Sequence, residues 1–384
     1  MVKWTHFVLV LTVLSLAMIF HKMKQTEVIS WKLTPLKSSK QIPARDISSM
    51  DAPKILNMNL WNELENAIAD NRTECRQYLA LTSDSSWLDL MTEYATFLSF
   101  VYQKQYKGYL VVSDQVRNRL IQFFPNVSLP GISDLPCHFE PVEVVKDISM
   151  TNDTFDRVTA KSRRAANLVL ENQPGKFSVI LVHRKVMRYE FQFHATYDQV
   201  VKRSLHIVDR NRPMISKDRP RVFVGVQIKR LDVNSNEEWL SSKEYYFKAM
   251  EMFRARYGRN CVFILSSDDL LWAHNCFSEL SDVVFTDQIA KEHVPAKIFD
   301  FMVLTQCNHT IVSHGSLGIW GAFLGDGDVI APDSVYFGTP SLIRTIMASG
   351  FFSNWQTIID PSFISNPNKI LVQHFENLLP NSFV

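Results

Sequence analysis

Three short runs combine cations, acids and hydroxyl groups at spacings that suit an anion. The first, Gln227-Ile228-Lys229-Arg230-Leu231-Asp232, places two adjacent cations two residues before an acid. Lys229 and Arg230 would neutralise a departing pyrophosphate while Asp232 holds them in place. A solvated basic strand end with a local ion pair would have the same sequence. The second run, Ser266-Ser267-Asp268-Asp269, reads first as a helix cap with acids in the first turn, and second as a nucleotide contact. The third, His314-Gly315-Ser316, is a helix start whose backbone N–H groups and hydroxyl could meet an anion, or a plain cap. Asp326-Gly327-Asp328 has the D-x-D spacing with which many enzymes hold a divalent cation. It falls between a helix and a strand, so it reads as a turn, where Asp and Gly are favoured. No other acid or histidine cluster has metal-ligand spacing, and no metal is expected. No glycine-rich phosphate loop occurs.

The elements that would carry these runs alternate. Residues 222–228 form a continuous apolar, β-branched stretch, the pattern of a strand buried on both faces. Residues 243–257 have Tyr246, Met250, Phe253 and Tyr257 at helical spacing. Strands are then predicted at 261–265, 283–285, 310–313 and 329–331, with helices at 270–277, 296–307 and 316–324. Such alternation implies a parallel, doubly wound sheet, in which ligands bind in loops at the carboxyl ends of strands. The three runs fall on such loops, and the D-x-D falls on the opposite edge. Upstream, apolar residues at helical spacing run from Leu88 to Tyr106, a strand follows at 109–112, and another is predicted at 177–182.

The chain has 384 residues, 46% hydrophobic and 21% charged, with a formal net charge of +2. That length suits about two domains, and the scattered charge argues against a nucleic-acid surface. Residues 4–20 carry no Asp, Glu, Lys or Arg. As a helix they would span roughly 26 Å, enough for a thin early-secretory bilayer, and no small-residue cleavage site follows. An uncleaved anchor is expected there, with a cleaved leader as the rival. N-x-S/T sequons at Asn71, Asn126, Asn152 and Asn308 favour a body in the secretory lumen, Asn308 lying in an apolar neighbourhood. Five cysteines allow two disulfides at most and leave one thiol over.

Residues 305–311 (Thr305-Gln306-Cys307-Asn308-His309-Thr310-Ile311), followed by Gly315, Gly318, Ile319 and Trp320, resemble the terminal signature of the galactoside α-1,2-fucosyltransferases. Arg254-Ala255-Arg256-Tyr257, Ser267-Asp268 and Asp282-Val283-Val284-Phe285 are similar to segments preceding that signature, and Glu93-Tyr94-Ala95-Thr96 to the end of a G-R-x-G-N region. The resemblance covers 210–335 well and implies an α/β fold of two Rossmann-like domains, GT-B-like, behind an N-terminal transmembrane helix. It implies a cytoplasmic tail at 1–3, a signal-anchor at 4–20, a luminal stem at 21–80, an acceptor-side domain at 81–210 and a donor domain at 211–384.

It further implies a single-pass type II protein of the Golgi membrane that uses GDP-fucose as donor, a galactose-terminated glycan as acceptor, and no cofactor. The family's H-x-R-R-x-D motif falls on Gln227, Lys229, Arg230 and Asp232. The resemblance thus places Lys229 and Arg230 at the GDP phosphates, Gln227 near the nucleotide, Asp300 at guanine and Ser316 at the phosphate end. Catalysis is assigned to Arg230, Lys229 and Asp232. Histidine is replaced by Gln227 and the first arginine by Lys229, which keeps charge but loses a planar two-pronged grip. The G-R-x-G-N positions hold Ser85, Ser86, Trp87, Leu88 and Asp89. A nucleotide- or glycan-binding protein without turnover, and transfer to a protein hydroxyl, are the alternative readings.

Overall fold

The computed structural model describes residues 78–104, 109–146, 157–158, 160, 167–172, 177–211, 220–231, 240–333 and 342–360. The expected anchor and most of the stem, with Asn71, Asn152 and Asp232, lie outside the described residues.

Two parallel sheets carry the chain. The first joins β1 (Tyr78–Thr82), β2 (Tyr109–Val112), β3 (Glu143–Lys146) and β4 (Leu168–Glu171) in the order β2-β1-β4-β3. The second joins β5 (Val222–Ile228), β6 (Cys261–Ser267), β7 (Val283–Phe285), β8 (His309–Ile311), β9 (Val329–Pro332) and β10 (Trp355–Ile358) in the order β10-β9-β8-β5-β6-β7. The order follows from the sequence pattern: β5 is central, and its Val224, Val226 and Ile228 are fully buried. From β5 the chain moves outward through β6 and β7, then returns across β5 to build β8, β9 and β10. The winding reverses between β5 and β8. A crevice at the carboxyl ends of strands opens where such a reversal occurs.

Helices connect the strands. They are α1 (Trp87–Lys104), α2 (Asp114–Ile121), α3 (Phe177–Ile180), α4 (Arg184–Glu190), α5 (Ala195–Arg210), α6 (Lys243–Tyr257), α7 (Leu270–Phe277), α8 (Ala296–Gln306), α9 (Ser316–Gly325) and α10 (Leu342–Ala348). The expected strand over 177–182 is instead α3 and the 3-10 turn Leu181–His183. Phe177, Ile180 and Leu181 are buried at helical spacing, and a short apolar run does not by itself distinguish strand from helix. The strand expected over 310–313 is β8, one residue earlier at its start and ending at Ile311. β1 begins at Tyr78, inside the segment expected to be stem.

One apolar core spans both sheets. It includes Leu79, Leu81, Tyr94 and Leu98 from the first half and Phe301, Trp320, Val329, Ile343 and Trp355 from the second. The α9 helix is buried from Gly318 to Gly325, because it lies inside this shared core. Trp320 packs against Phe177 and Phe191 with ring centroids 5.0 and 5.3 Å away, and its Nε1 donates to Thr92 Oγ1 at 2.9 Å. Trp87, at the start of α1, meets Phe301 of α8 edge-on at 5.2 Å. Among the described residues, no helix is long and apolar enough to cross a membrane.

Candidate anion site at the switch point

Lys229 and Arg230 are the first residues beyond β5, at the reversal of winding. Their acidic partners come from the loop after β6. Lys229 Nζ lies 2.8 Å from Asp268 Oδ2, and the Asp268 carboxylate accepts the backbone N–H groups of Arg230 and Leu231 at 2.7 and 3.1 Å. Arg230 Nε lies 3.6 Å from Asp269 Oδ2, and Asp269 caps α7 by accepting the N–H of Trp272 at 3.0 Å. The Arg230 guanidinium carbon sits 4.0 Å over the Trp272 ring, a cation–π contact. The cap reading of the Ser266–Asp269 loop therefore holds, and the loop also steadies the cationic pair. Asp232, expected in that role, lies outside the described residues.

Gln227 is 5% exposed and lies beneath these cations. Its Oε1 accepts the Ser313 hydroxyl at 2.9 Å and the Ser313 N–H at 3.3 Å. Ser313 Oγ in turn accepts the Lys229 N–H at 2.9 Å, so one hydroxyl ties the ends of β5 and β8 together. Gly318 is required here, because a Cβ on it would lie 2.7 Å from Gln227 Oε1. Gly315 adopts φ +113°, which lets α9 begin against the Lys229 stem. Ser316 is the first residue of α9, and no side chain caps that helix, so its amino end presents partial positive charge beside Lys229. Burial pushes the His314 imidazole below its ordinary value, and the Asp360 charge opposes the shift.

Asp300 projects from α8 toward the other flank of the crevice. Its polar neighbours are the hydroxyls of Ser266, at the end of β6, and Thr286, just after β7. Burial raises the carboxyl above its ordinary value, those hydroxyls pull it back, and Oδ1 has no hydrogen-bond partner among the described residues. Ser266 pairs with Gln227 in register. Ser316 beyond β8, the cations on β5 and Asp300 over β6 and β7 thus line up along one sheet edge. At about 4.8 Å per strand, the span is on the order of 10 Å.

The first sheet brings its own polar loop near. In residues 83–86, Ser85 Oγ donates to Glu93 Oε1 at 2.6 Å, and Arg119 donates to the carbonyls of Ser83 and Ser85. Glu93 is buried, and desolvation raises its carboxyl above the ordinary value. Trp87 follows this loop and rests on Phe301, the neighbour of Asp300. Ser313 and Arg119 escaped sequence reasoning and Glu93 entered it only through the resemblance, because only tertiary contacts bring them to these loops.

The D-x-D is a turn. Asp326 closes α9 in the left-handed region at φ 76° and pairs with Arg184 at 2.8 Å and Arg188 at 2.7 Å. Asp328 pairs with Arg256 and lies 3.4 Å from His309 Nδ1. Both acids precede β9, at the edge opposite Lys229. Cys137 is disulfide-bonded, whereas Cys261, Cys276 and Cys307 are free thiols. Asn126 Nδ2 donates to Tyr189 O at 3.2 Å and Gln192 Oε1 at 2.9 Å. Asn308, expected in apolar surroundings, is exposed, and its Oδ1 accepts the Phe223 N–H at 2.9 Å.

Residues 174–336 match the family model described as Glycosyl transferase family 11. Galactoside alpha-(1,2)-fucosyltransferase 1 of Leontocebus fuscicollis is 37% identical over 153 residues, covering 38% of this chain and 40% of that protein. Galactoside alpha-(1,2)-fucosyltransferase 2 of Rattus norvegicus is 40% identical over 122 residues, covering 30% and 33%. The match thus spans less than half the length of these relatives. This part of the chain is related to galactoside α-1,2-fucosyltransferases at moderate identity. Among solved structures, a mutant of Arabidopsis thaliana FUT1 in complex with GDP overlaps with a TM-score of 0.45 at 13% identity, covering 74% of this chain and 80% of that one.

Proposed function

We propose that the protein is a galactoside α-1,2-fucosyltransferase of GT-B-like fold, transferring L-fucose from GDP-fucose to a galactose-terminated glycan. One observation carries the reading. The sheet edge that reverses at β5 and β8 holds Lys229, Arg230 and the amino end of α9 on one side, and on the other Asp300, whose Oδ1 has no hydrogen-bond partner among the described residues. That order suits a guanine at Asp300 and a diphosphate at the cations. The reaction would be a single inverting displacement, in which an acceptor hydroxyl attacks the anomeric carbon as GDP departs. Lys229, Arg230 and the helix end would meet the charge that builds on the leaving oxygen. The relatedness over residues 174–336 supports the same reading. A signal-anchor at 4–20 would hold the protein in the Golgi membrane with its body in the lumen.

The direct test is GDP release from GDP-fucose by detergent-solubilised full-length protein, over a panel of galactosides. Release that depends on one of them is expected; binding of GDP-fucose with no release on any would remove the transferase. A second reading, retention of nucleotide without turnover, is favoured by one observation: Asp268 and Asp269 already neutralise Lys229 and Arg230 within the fold. Lys229→Arg separates the two readings. A planar fork at this position should keep or raise turnover in an enzyme and produce none in a binding protein.

A further inference from the structure

The peptide group between Val312 and Ser313 is held from both sides. Its carbonyl oxygen, just past the end of β8, accepts the Tyr245 hydroxyl at 2.6 Å, and its N–H donates to Gln227 Oε1 at 3.3 Å. The same Gln227 oxygen accepts the Ser313 hydroxyl at 2.9 Å, and Ser313 Oγ accepts the Lys229 N–H at 2.9 Å. Tyr245 is fully buried, and its hydroxyl also lies 3.2 Å from the Ile330 carbonyl oxygen of β9. An unbroken line of hydrogen bonds, through one peptide group, therefore joins the Tyr245 phenol to the Lys229 backbone.

The phenol is itself anchored at the start of α6. Ser242 caps that helix by accepting the Tyr245 N–H at 3.1 Å. The Ser242 N–H donates to Asp360 Oδ2 at 2.7 Å, and its hydroxyl donates to Asp360 Oδ1. Asp360, buried, lies just past β10. Packing alone does not call for the Tyr245 hydroxyl, because phenylalanine would keep the ring contact with Tyr246 at 4.9 Å. A buried carbonyl without its donor is costly, so the hydroxyl fixes which way the 312–313 peptide faces. That orientation matters at the site, since Ser313 touches Lys229 and stands three residues before Ser316, where α9 begins.

We propose that Tyr245 is a positioning residue for the anion site. Its hydroxyl sets the 312–313 peptide, the peptide sets Ser313, and Ser313 holds the Lys229 backbone beside the start of α9, where a diphosphate would bind. The inference rests on the donor-site reading above and adds a residue of α6 that lies outside the anion-binding runs.

Amide hydrogen exchange and calorimetric GDP titration of detergent-solubilised full-length protein test it. Tyr245→Phe should speed exchange of the Lys229 N–H about tenfold and weaken GDP roughly fivefold, the scale of one lost hydrogen bond. In a Ser313→Ala background the same change should alter GDP affinity by less than about twofold, because groups that act through one residue are not additive. Ile343→Val, a core cut on α10 that lowers stability without touching this line, should leave GDP affinity within about twofold of wild type. Unchanged Lys229 exchange or unchanged GDP affinity in Tyr245→Phe overturns the assignment, as does an equal loss of affinity with and without Ser313. If Tyr245→Phe does not fold, Ser242→Ala, which loosens the cap beneath the phenol, takes its place in the same cycle. Wild-type protein that binds no GDP overturns the donor-site reading, and the exchange result then decides alone whether Tyr245 holds Lys229.

Discussion

Asp268 holds Lys229 by charge and Arg230 by backbone: one carboxylate lies 2.8 Å from Lys229 Nζ and accepts the Arg230 N–H at 2.7 Å. The two functions can be separated. Asp268→Asn keeps one of the two acceptors for the backbone, at some cost in stability because its NH2 faces the other N–H, and removes the charge that neutralises Lys229, so GDP should bind a few-fold more tightly. Asp268→Ala removes both and should cost about 1–2 kcal/mol of stability, the scale of leaving backbone donors unsatisfied. Calorimetry and denaturant melts check both; GDP weakened equally by Asn and Ala would mean that the negative charge itself organises the loop.

Asp300 should have opposite effects on binding and stability. Its folded-state carboxyl is raised by burial, so the folded state binds the proton more tightly than the unfolded chain does. The stability it contributes is present at low pH and lost as pH rises through the raised value. In the proposed reading, donor binding needs the ionised form and should fade in the reverse direction. Asp300→Asn should therefore stabilise the protein at neutral pH while weakening GDP by roughly tenfold or more, with discrimination against ADP reduced, since a polar site built for one partner rejects others. Unchanged GDP-over-ADP preference would remove Asp300 from the base site.

His309 gives a pH window of the opposite sign. Burial lowers its imidazole from an ordinary value near 6.5 to about 4, with the Asp328 charge opposing the shift and Arg256 reinforcing it. The unfolded chain takes up a proton that the folded chain refuses. Stability is then full above about 6.5 and falls as pH drops toward 4, by up to about 3 kcal/mol. Urea melts at pH 7, 5.5 and 4 should show that fall, and His309→Gln should flatten it. An equally steep profile in the variant would place the effect elsewhere.

Asp326 and Asp328 should prove structural. Chelation with EDTA should leave any transferase activity intact, and Asp326→Ala should lower stability, because Arg184 and Arg188 would lose their shared carboxylate. Loss of activity on chelation, restored by manganese, would return the pair to a metal-binding role.

The sequence carries the second sheet well and the first poorly, for a physical reason. β5 is recognisable because both of its faces are buried, which writes an apolar run at 222–228 interrupted only by Gln227. The 177–182 run is equally apolar but too short to show a period, and it folds as helix. At the site, Lys229, Arg230 and the Ser266–Asp269 loop stand out because their chemistry is local. Their pairing is not local, since the β5–β6 register brings Asp268 to Lys229. The partners of Asp326 lie still farther away in sequence, on α4.

The shared core has a consequence for protein engineering. The family match begins at residue 174, yet Trp320 completes its hydrogen bonding with Thr92, and Trp87 covers Phe301. A recombinant fragment cut at the match would expose that seam, and a chimaera joined there would need both sides of it from one parent. The smallest portable module must therefore reach back at least to Tyr78, so the stretch that relatives share is shorter than the stretch that must be inherited together.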